Sequence, residues 1–308
     1  MKKIYSQVKA FIATSSPWFI LLCALWAAFL IVWNYGYGLE KEMVDDLSGF
    51  KAWRNHSLIY TLAYLPPLLM AVVFAKRSSS LKNPWFWVIA LVSPWVFAYT
   101  SHINISRMLD YSSSNLNMLY YYSKISFWIS QVIIGLAFSY IIWRLKDRNK
   151  MGFYGFQFKG HKLKPYWIML AIMLIPILIA GTTDSFLHMY PRLKQLLHEN
   201  YAALPRWRHL TYELAYGLNF VGIEVFFRGF LVMAMVSLLG KEAILPMAVF
   251  YVSIHFGKPM GECISSFFGG SLLGIISFHS NSIKGGLLVH MGIAWLMEIS
   301  GALGLWVW

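Results

Sequence analysis

Charge is scarce in this chain, and acid is scarcer still. Only 13% of the 308 residues are Asp, Glu, Lys or Arg, against about 25% for a typical soluble domain. Thirteen acidic residues face 26 basic ones, for a formal net charge of +13. Two cysteines, Cys23 and Cys263, are too few for a disulfide framework or a cysteine-based metal motif. There is no tandem repeat, no low-complexity tract and no compact H-E-x-x-H segment, so a helix-borne zinc motif of that kind is excluded.

Apolar sequence fills the space instead. Hydrophobic residues make up 58% of the chain and aromatics 18%. A helix crosses a bilayer with about 20 mostly apolar residues. Runs of that kind cover Pro17–Tyr35, Leu58–Ala75, Pro84–Tyr99, Ile125–Trp143 and Pro165–Gly181. Leu210–Leu239, Ala243–His255, Cys263–Phe278 and Ile283–Trp306 follow, several of them short or interrupted by Gly and polar residues. The expected fold is all-α, a polytopic transmembrane bundle of about eight or nine spans. Little length is left for a large soluble domain. The first span, behind Lys2, Lys3 and Lys9, ends in Val32-Trp33-Asn34-Tyr35 without a small-residue cleavage site, and reads as an uncleaved anchor.

The positive charge is clustered rather than spread. Lys2, Lys3 and Lys9 form one group, Lys76, Arg77 and Lys82 a second. Arg144, Lys146, Arg148, Lys150, Lys159, Lys162 and Lys164 form a third. If the spans alternate, all three fall on one side and the acidic loop of Glu40, Glu42, Asp45 and Asp46 on the other, the positive-inside pattern. The partners this implies are the lipid bilayer, including its anionic headgroups, and not nucleic acid. The expected location is a multi-pass integral protein of the plasma membrane with a cytoplasmic N-terminus.

The character of the spans changes near residue 184. Residues 1–183 read as scaffold helices, nearly free of charge within the apolar runs. Residues 184–308 read as the part that carries chemistry, with short interfacial helices expected in Asp184–His209. Beyond that loop Glu213, Asn219, Glu224, Arg228, His255, His279, His290 and Glu298 enter or border the apolar segments. Each charge at a bilayer centre costs roughly 2.5–3.5 kcal/mol on insertion scales, and an ionisable residue there is by default a functional candidate.

Glu224 and Arg228 are four residues apart, so a helix puts them on one face as an ion pair. A buried pair adds little stability over apolar replacements, so its retention points to another task. His255 precedes Gly257 and Pro259, a helix-end signature. His290 lies well inside the last apolar run, and Ser266, Gly270 and Gly274 form a small-residue stripe that lets helices approach closely. A carboxylate stripped of water is a better proton acceptor near neutral pH. An imidazole can share its proton, and a second can donate to an oxyanion. Glu224, His255 and His290 would thus suffice for water-mediated peptide hydrolysis, or alternatively form a His₂Glu zinc site with an open position. Glu213 and Glu298 read as packing residues, His279 as a loop edge, and Lys258 and Glu262 as caps of the turn and the next helix.

At these residues, across roughly Leu210–Ser300, the sequence resembles the CPBP (Abi) intramembrane proteases, relatives of the type 2 CAAX prenyl endopeptidase. The family pattern Glu-Glu-x-x-x-Arg appears as Ile223-Glu224-Val225-Phe226-Phe227-Arg228, followed by Gly229-Phe230-Leu231. Phe-x-x-x-His appears as Tyr251 to His255, and His-x-x-x-Asn as His290 to Ala294. The resemblance implies a helical membrane bundle around a polar cavity and an endopeptidase acting on a peptide or membrane-protein substrate. Glu224 would be the general base, oriented by Arg228, with His255 its partner and His290 the oxyanion donor, and no metal bound. Ile223 and Ala294 depart from the family motifs. They support an alternative, a catalytically inactive pseudoprotease acting as a bacteriocin-immunity or membrane-binding protein. An ion- or proton-coupled transporter is a third possibility for the same polar residues.

Overall fold

A computed structural model describes residues 2–102, 116–156, 163–197 and 204–307. Among the described residues the secondary structure is helical throughout, with no strand. The chain is an integral membrane protein of the all-α class. Six helical stretches are long and apolar enough to cross a membrane, by length and composition. The shorter apolar helix Lys164–Ala180 adds to them. Lys159 and Lys162 of the third basic cluster lie outside the described residues.

In chain order the first helices are α1 (Lys2–Thr14), α2 (Pro17–Tyr37), α3 (Gly49–Phe74), α4 (Pro84–Trp87) and α5 (Ser93–His102). Next come α6 (Leu116–Ile142), α7 (Lys164–Ala180), α8 (Asp184–Leu187) and α9 (Arg192–Leu197). The last are α10 (Arg206–Glu224), α11 (Val232–Leu239), α12 (Ile244–Ser253), α13 (Met260–Ser280) and α14 (Lys284–Val307). The short helices expected after Asp184 are α8 and α9. Wider π-turns occur at Lys41–Asp45, Val88–Val92, Trp143–Asp147 and Val225–Leu231.

Local sequence explains many of the boundaries. Pro17 starts α2, where a missing N–H costs nothing, and Gly38 ends it in the left-handed region at φ 67°, donating to the Asn34 carbonyl. Asn83 caps α4 by accepting from the Trp85 N–H at 3.0 Å. Gly240, at φ 66°, stops α11 and lets a 3₁₀ turn lead into α12.

The chain forms two compact units. Unit 1 comprises Met1–His102, Ile134–His161 and Glu224–Gly286, and unit 2 Ile103–Ile133, Lys162–Ile223 and Leu287–Trp308. Each takes segments from both sides of residue 184.

Unit 1 is built around α12, which packs against α13, α3 and α2. All ten residues of α12 are buried. The small-residue stripe is its seam with α13. A Cβ on Gly270 would sit 3.1 Å from the Tyr251 ring, and one on Gly274 2.8 Å from Met247. One end of unit 1 collects basic residues. Lys241 donates to Thr14 of α1, Ser80 to the Leu238 carbonyl at 2.8 Å, and Lys146 to the Ala234 carbonyl at 2.7 Å. The ends of α1, the turn after α3 and the π-turn at 143–147 therefore meet around the end of α11. Helix α2 has 21 residues, about 31 Å at 1.5 Å per residue. It carries the chain away from this end to Glu40, so the acidic loop lies at the opposite end. Helix α12 runs the same way, and His255 follows its last turn at the acidic end.

In unit 2, Tyr121 of α6 stacks on Tyr212 of α10, and Trp128 packs edge-on against Tyr212 and tilted against Tyr216. Close approaches are set by glycines, as where a Cβ on Gly217 would sit 2.5 Å from the Trp295 ring. The Glu298 carboxylate accepts from the Arg192 N–H at 2.9 Å, and Trp295 donates to the Glu213 carbonyl at 3.3 Å.

Candidate functional site

The segment that follows α10 leaves the α register. From Val225 to Leu231 the chain is π-helical, and every side chain in it is buried. π-turns inside helices concentrate at functional sites because they widen the helix and re-aim side chains. This one starts directly after Glu224 and contains Arg228. The ion pair expected from spacing is present, with Arg228 Nη1 3.1 Å from Glu224 Oε1 and side-chain exposures of 1% and 0%. At those exposures neither charge has solvent, so the pair itself must offset the cost of burial.

Tyr251 of α12 completes the arrangement. Its ring lies under the guanidinium, 3.8 Å from Arg228 Cζ to the centroid, a cation–π contact. Arg228 is thus held by a carboxylate and an aromatic face. Its Nε has no hydrogen-bond partner among the described residues, although it is buried. Gly286, at the start of α14, faces the other carboxylate oxygen: a Cβ there would stand 2.6 Å from Glu224 Oε2. Any side chain at this position would press on that oxygen. Gly229 is fixed in a similar way, since a Cβ would come within 2.7 Å of the Tyr154 carbonyl. That contact gives a physical reason for the glycine after the motif arginine.

His255 lies half-buried in the turn after α12, as its Gly and Pro neighbours indicate. Its Nδ1 is 2.9 Å from the Tyr251 carbonyl, and its ring is 4.6 Å from the Tyr251 ring. A carbonyl only accepts, so Nδ1 carries the proton and, in the neutral ring, Nε2 is the basic nitrogen. Tyr251 therefore touches Arg228 through its ring and His255 through both ring and backbone. In the sequence Tyr251 stands out only as a motif position. Its spacing of four from His255 was the available signal for the backbone contact, while nothing local pointed to Arg228.

His290 belongs to unit 2, on α14, half-buried with its ring 4.6 Å from Phe220. Ile223 and Ala294, the two departures, are buried apolar side chains at 9% and 3% exposure. Lys258 and Glu262 form a 2.7 Å ion pair across the start of α13, whose N-cap, Pro259, receives no side-chain capping bond. His279 is exposed in the last turn of α13. Among the described residues no group of three or more His, Cys, Asp or Glu side chains is placed to hold a metal ion.

Residues 205–296 match the family described as type II CAAX prenyl endopeptidase, Rce1-like. This segment is Rce1-like. The match takes in α10 to α13 and the first half of α14, and so includes Glu224, Arg228, Tyr251, His255 and His290. It covers under a third of the chain and agrees with the CPBP/CAAX protease resemblance carried by the motif residues. No curated protein and no solved structure matches the chain.

Unit 1 holds a second polar cluster that no motif or spacing in the sequence indicates. Glu40, His56 and His102 meet at its acidic end, with His56 Nδ1 3.0 Å from His102 Nε2 and His56 Nε2 3.5 Å from Glu40 Oε1. Burial, with Asp45 nearby, pushes the Glu40 carboxyl up to about 7. No local pattern joins these residues, which lie on separate helices.

Proposed function

We propose that the protein is an intramembrane endopeptidase of the CAAX type, hydrolysing a peptide bond with water activated by Glu224 and His255. The observation that carries this reading is the buried Glu224–Arg228–Tyr251–His255 arrangement, centred on a π-turn inside an Rce1-like segment. Glu224 Oε1 is engaged by Arg228 and Oε2 lies beside Gly286, and this carboxylate takes the proton from water. His255, protonated at Nδ1, presents Nε2 as a second acceptor and passes the proton on to the leaving amine. The family resemblance assigns the oxyanion of the tetrahedral intermediate to His290. Arg228 orients Glu224. The reading needs no metal, and it takes the N-terminus as cytoplasmic, in the plasma membrane. The substrate is a peptide or membrane protein, since nothing about the residues described defines a prenyl pocket.

The test compares peptide termini in membrane fractions of cells expressing the wild type, Glu224→Gln or His290→Ala at matched levels. Termini present with the wild type and lost in both variants are expected. Identical termini in all three overturn the proteolytic reading. A pseudoprotease is the second reading, favoured by Ile223 and Ala294, which supply no polar group where the family motifs have one. In that case the three termini profiles coincide while partner binding still depends on Arg228.

A further inference from the structure

The turn that carries His255 is held from outside its own helix. The last carbonyls of a helix have no intrahelical partner and must find one. Here the end of α2 supplies donors. Asn34 Nδ2 donates to the Phe256 carbonyl at 3.3 Å. The Tyr35 hydroxyl donates to the Lys258 carbonyl and lies 3.3 Å from the His255 carbonyl. Asn34 also faces the other way, its Oδ1 accepting from the Glu40 N–H at 3.0 Å. One buried amide therefore ties the backbone of Glu40 to the backbone of the turn. The Glu40 carboxylate itself lies beside that turn, 3.8 Å from where a Cβ on Gly257 would stand.

Glu40 in turn begins a chain of titratable groups, through His56 to His102. Two neutral imidazoles 3.0 Å apart share one proton, so one ring donates and the other accepts. When His102 donates to His56, His56 Nε2 carries a proton towards Glu40. When His56 donates from Nδ1, its Nε2 faces Glu40 as an acceptor across 3.5 Å, a gap without a hydrogen bond that only a protonated Glu40 could fill. Other groups within electrostatic reach are Tyr35 on α2, Asp45 on the π-turn, Tyr60 on α3, and Glu262 and Cys263 on α13. Lys258 is paired with Glu262. Apart from the paired Lys258 the surroundings are neutral or acidic, so ionising Glu40 places a charge against carbonyls and carboxylates.

We propose that Asn34, Tyr35 and Glu40 position His255, and that the Glu40–His56–His102 chain makes their grip depend on protonation. With Glu40 protonated the turn is held. With Glu40 ionised, repulsion loosens the strap and frees the turn. The importance of His255 for chemistry rests on the proteolytic reading above, but the grip itself is testable without any substrate.

Cys263 is the reporter. It is fully buried, its Sγ 3.7 Å from the Val252 carbonyl at the base of the turn. Cys23→Ala removes the only other thiol. In that full-length background, labelling of Cys263 by N-ethylmaleimide is measured at about pH 6 and about pH 8, each rate divided by that of the unfolded chain to remove intrinsic thiol ionisation. The normalised rate is expected to rise about fivefold between the two, a local opening well short of global unfolding. Glu40→Gln should label at the slow rate at both pH values. Asn34→Ala should label fast at both, because the link is cut. Tyr35→Phe, which removes a single hydroxyl, should raise labelling at about pH 6. A parent protein with no rise, a Glu40→Gln variant with the parent's rise, or an Asn34→Ala variant that keeps the step each overturns the proposal. Proteolysis plays no part in the readout, so a failure here is distinct from a failure of the endopeptidase reading.

Discussion

Among the described residues unit 1 buries two ion pairs, each on or beside a π-turn, and they are built to different standards. At the basic end Asp147 is fully buried and Lys146 nearly so, and the pair is saturated. Lys146 donates to both Asp147 oxygens at 3.0 and 2.9 Å and to the Ala234 carbonyl at 2.7 Å. Tyr154 donates to the same carboxylate at 3.0 Å. The Glu224–Arg228 pair has one 3.1 Å contact, an aromatic face and a guanidinium nitrogen with no acceptor among the described residues. A buried polar network with every group satisfied rigidifies a fold. One with hydrogen-bonding capacity in hand calls for an explanation, and a reacting substrate is a physical one. The contrast separates a structural staple from a candidate active site without reference to any relative.

The largest expected effect separates the two pairs by double replacement. Glu224→Leu with Arg228→Leu should abolish the peptide termini seen with the wild type while leaving the unfolding midpoint unchanged or higher, since replacing a whole buried pair is often neutral or stabilising by about 1–4 kcal/mol. Lys146→Leu with Asp147→Leu should do the reverse to stability. It strands the buried Tyr154 hydroxyl, at a cost of about 1–3 kcal/mol. Thermal unfolding in detergent measures both. Equal loss of stability in the two doubles would erase the comparison.

A smaller effect tests the aromatic face. Tyr251→Phe keeps the ring under Arg228, whereas Tyr251→Leu removes a cation–π contact worth roughly 2 kcal/mol when desolvated. The leucine variant should therefore be less stable than the phenylalanine variant. Gly270→Leu should approach it from the other side. Its side chain drives into the Tyr251 ring, with an overpacking cost of about 1–3 kcal/mol, again read as a fall in midpoint.

The smallest effect concerns Glu40, whose carboxyl sits above its ordinary range, near 7. The protonated form is the one the fold favours. Its contribution is full below the unfolded value, falls as pH rises and is lost above about 7. The wild type should lose a few degrees of unfolding midpoint between about pH 5 and about pH 8, and Glu40→Gln should lose less. Parallel pH profiles would remove Glu40 from the account.

The membrane class, most of the helices and the Glu224–Arg228 pair were all legible in the amino-acid order. Each depends on a property confined to one segment: apolar length, a spacing of four, or glycines at regular intervals. The Gly270–Gly274 stripe is such a case, because small side chains on one face already imply a close neighbour. The π-turn at Val225–Leu231, the Tyr251 ring beneath Arg228 and the meeting of Glu40 with His56 and His102 were not legible. Asn34 reaches a carbonyl 222 positions away, and no spacing rule spans that distance. Such contacts exist because α2, α3, α5 and α12 pack side by side, and side-chain packing between helices chooses which of many compatible faces meet. The sequence by itself determined a helical membrane protein with a charged pair in an apolar segment. Only the tertiary structure decided which residues surround that pair, because burial of charge is settled by the neighbours that replace water.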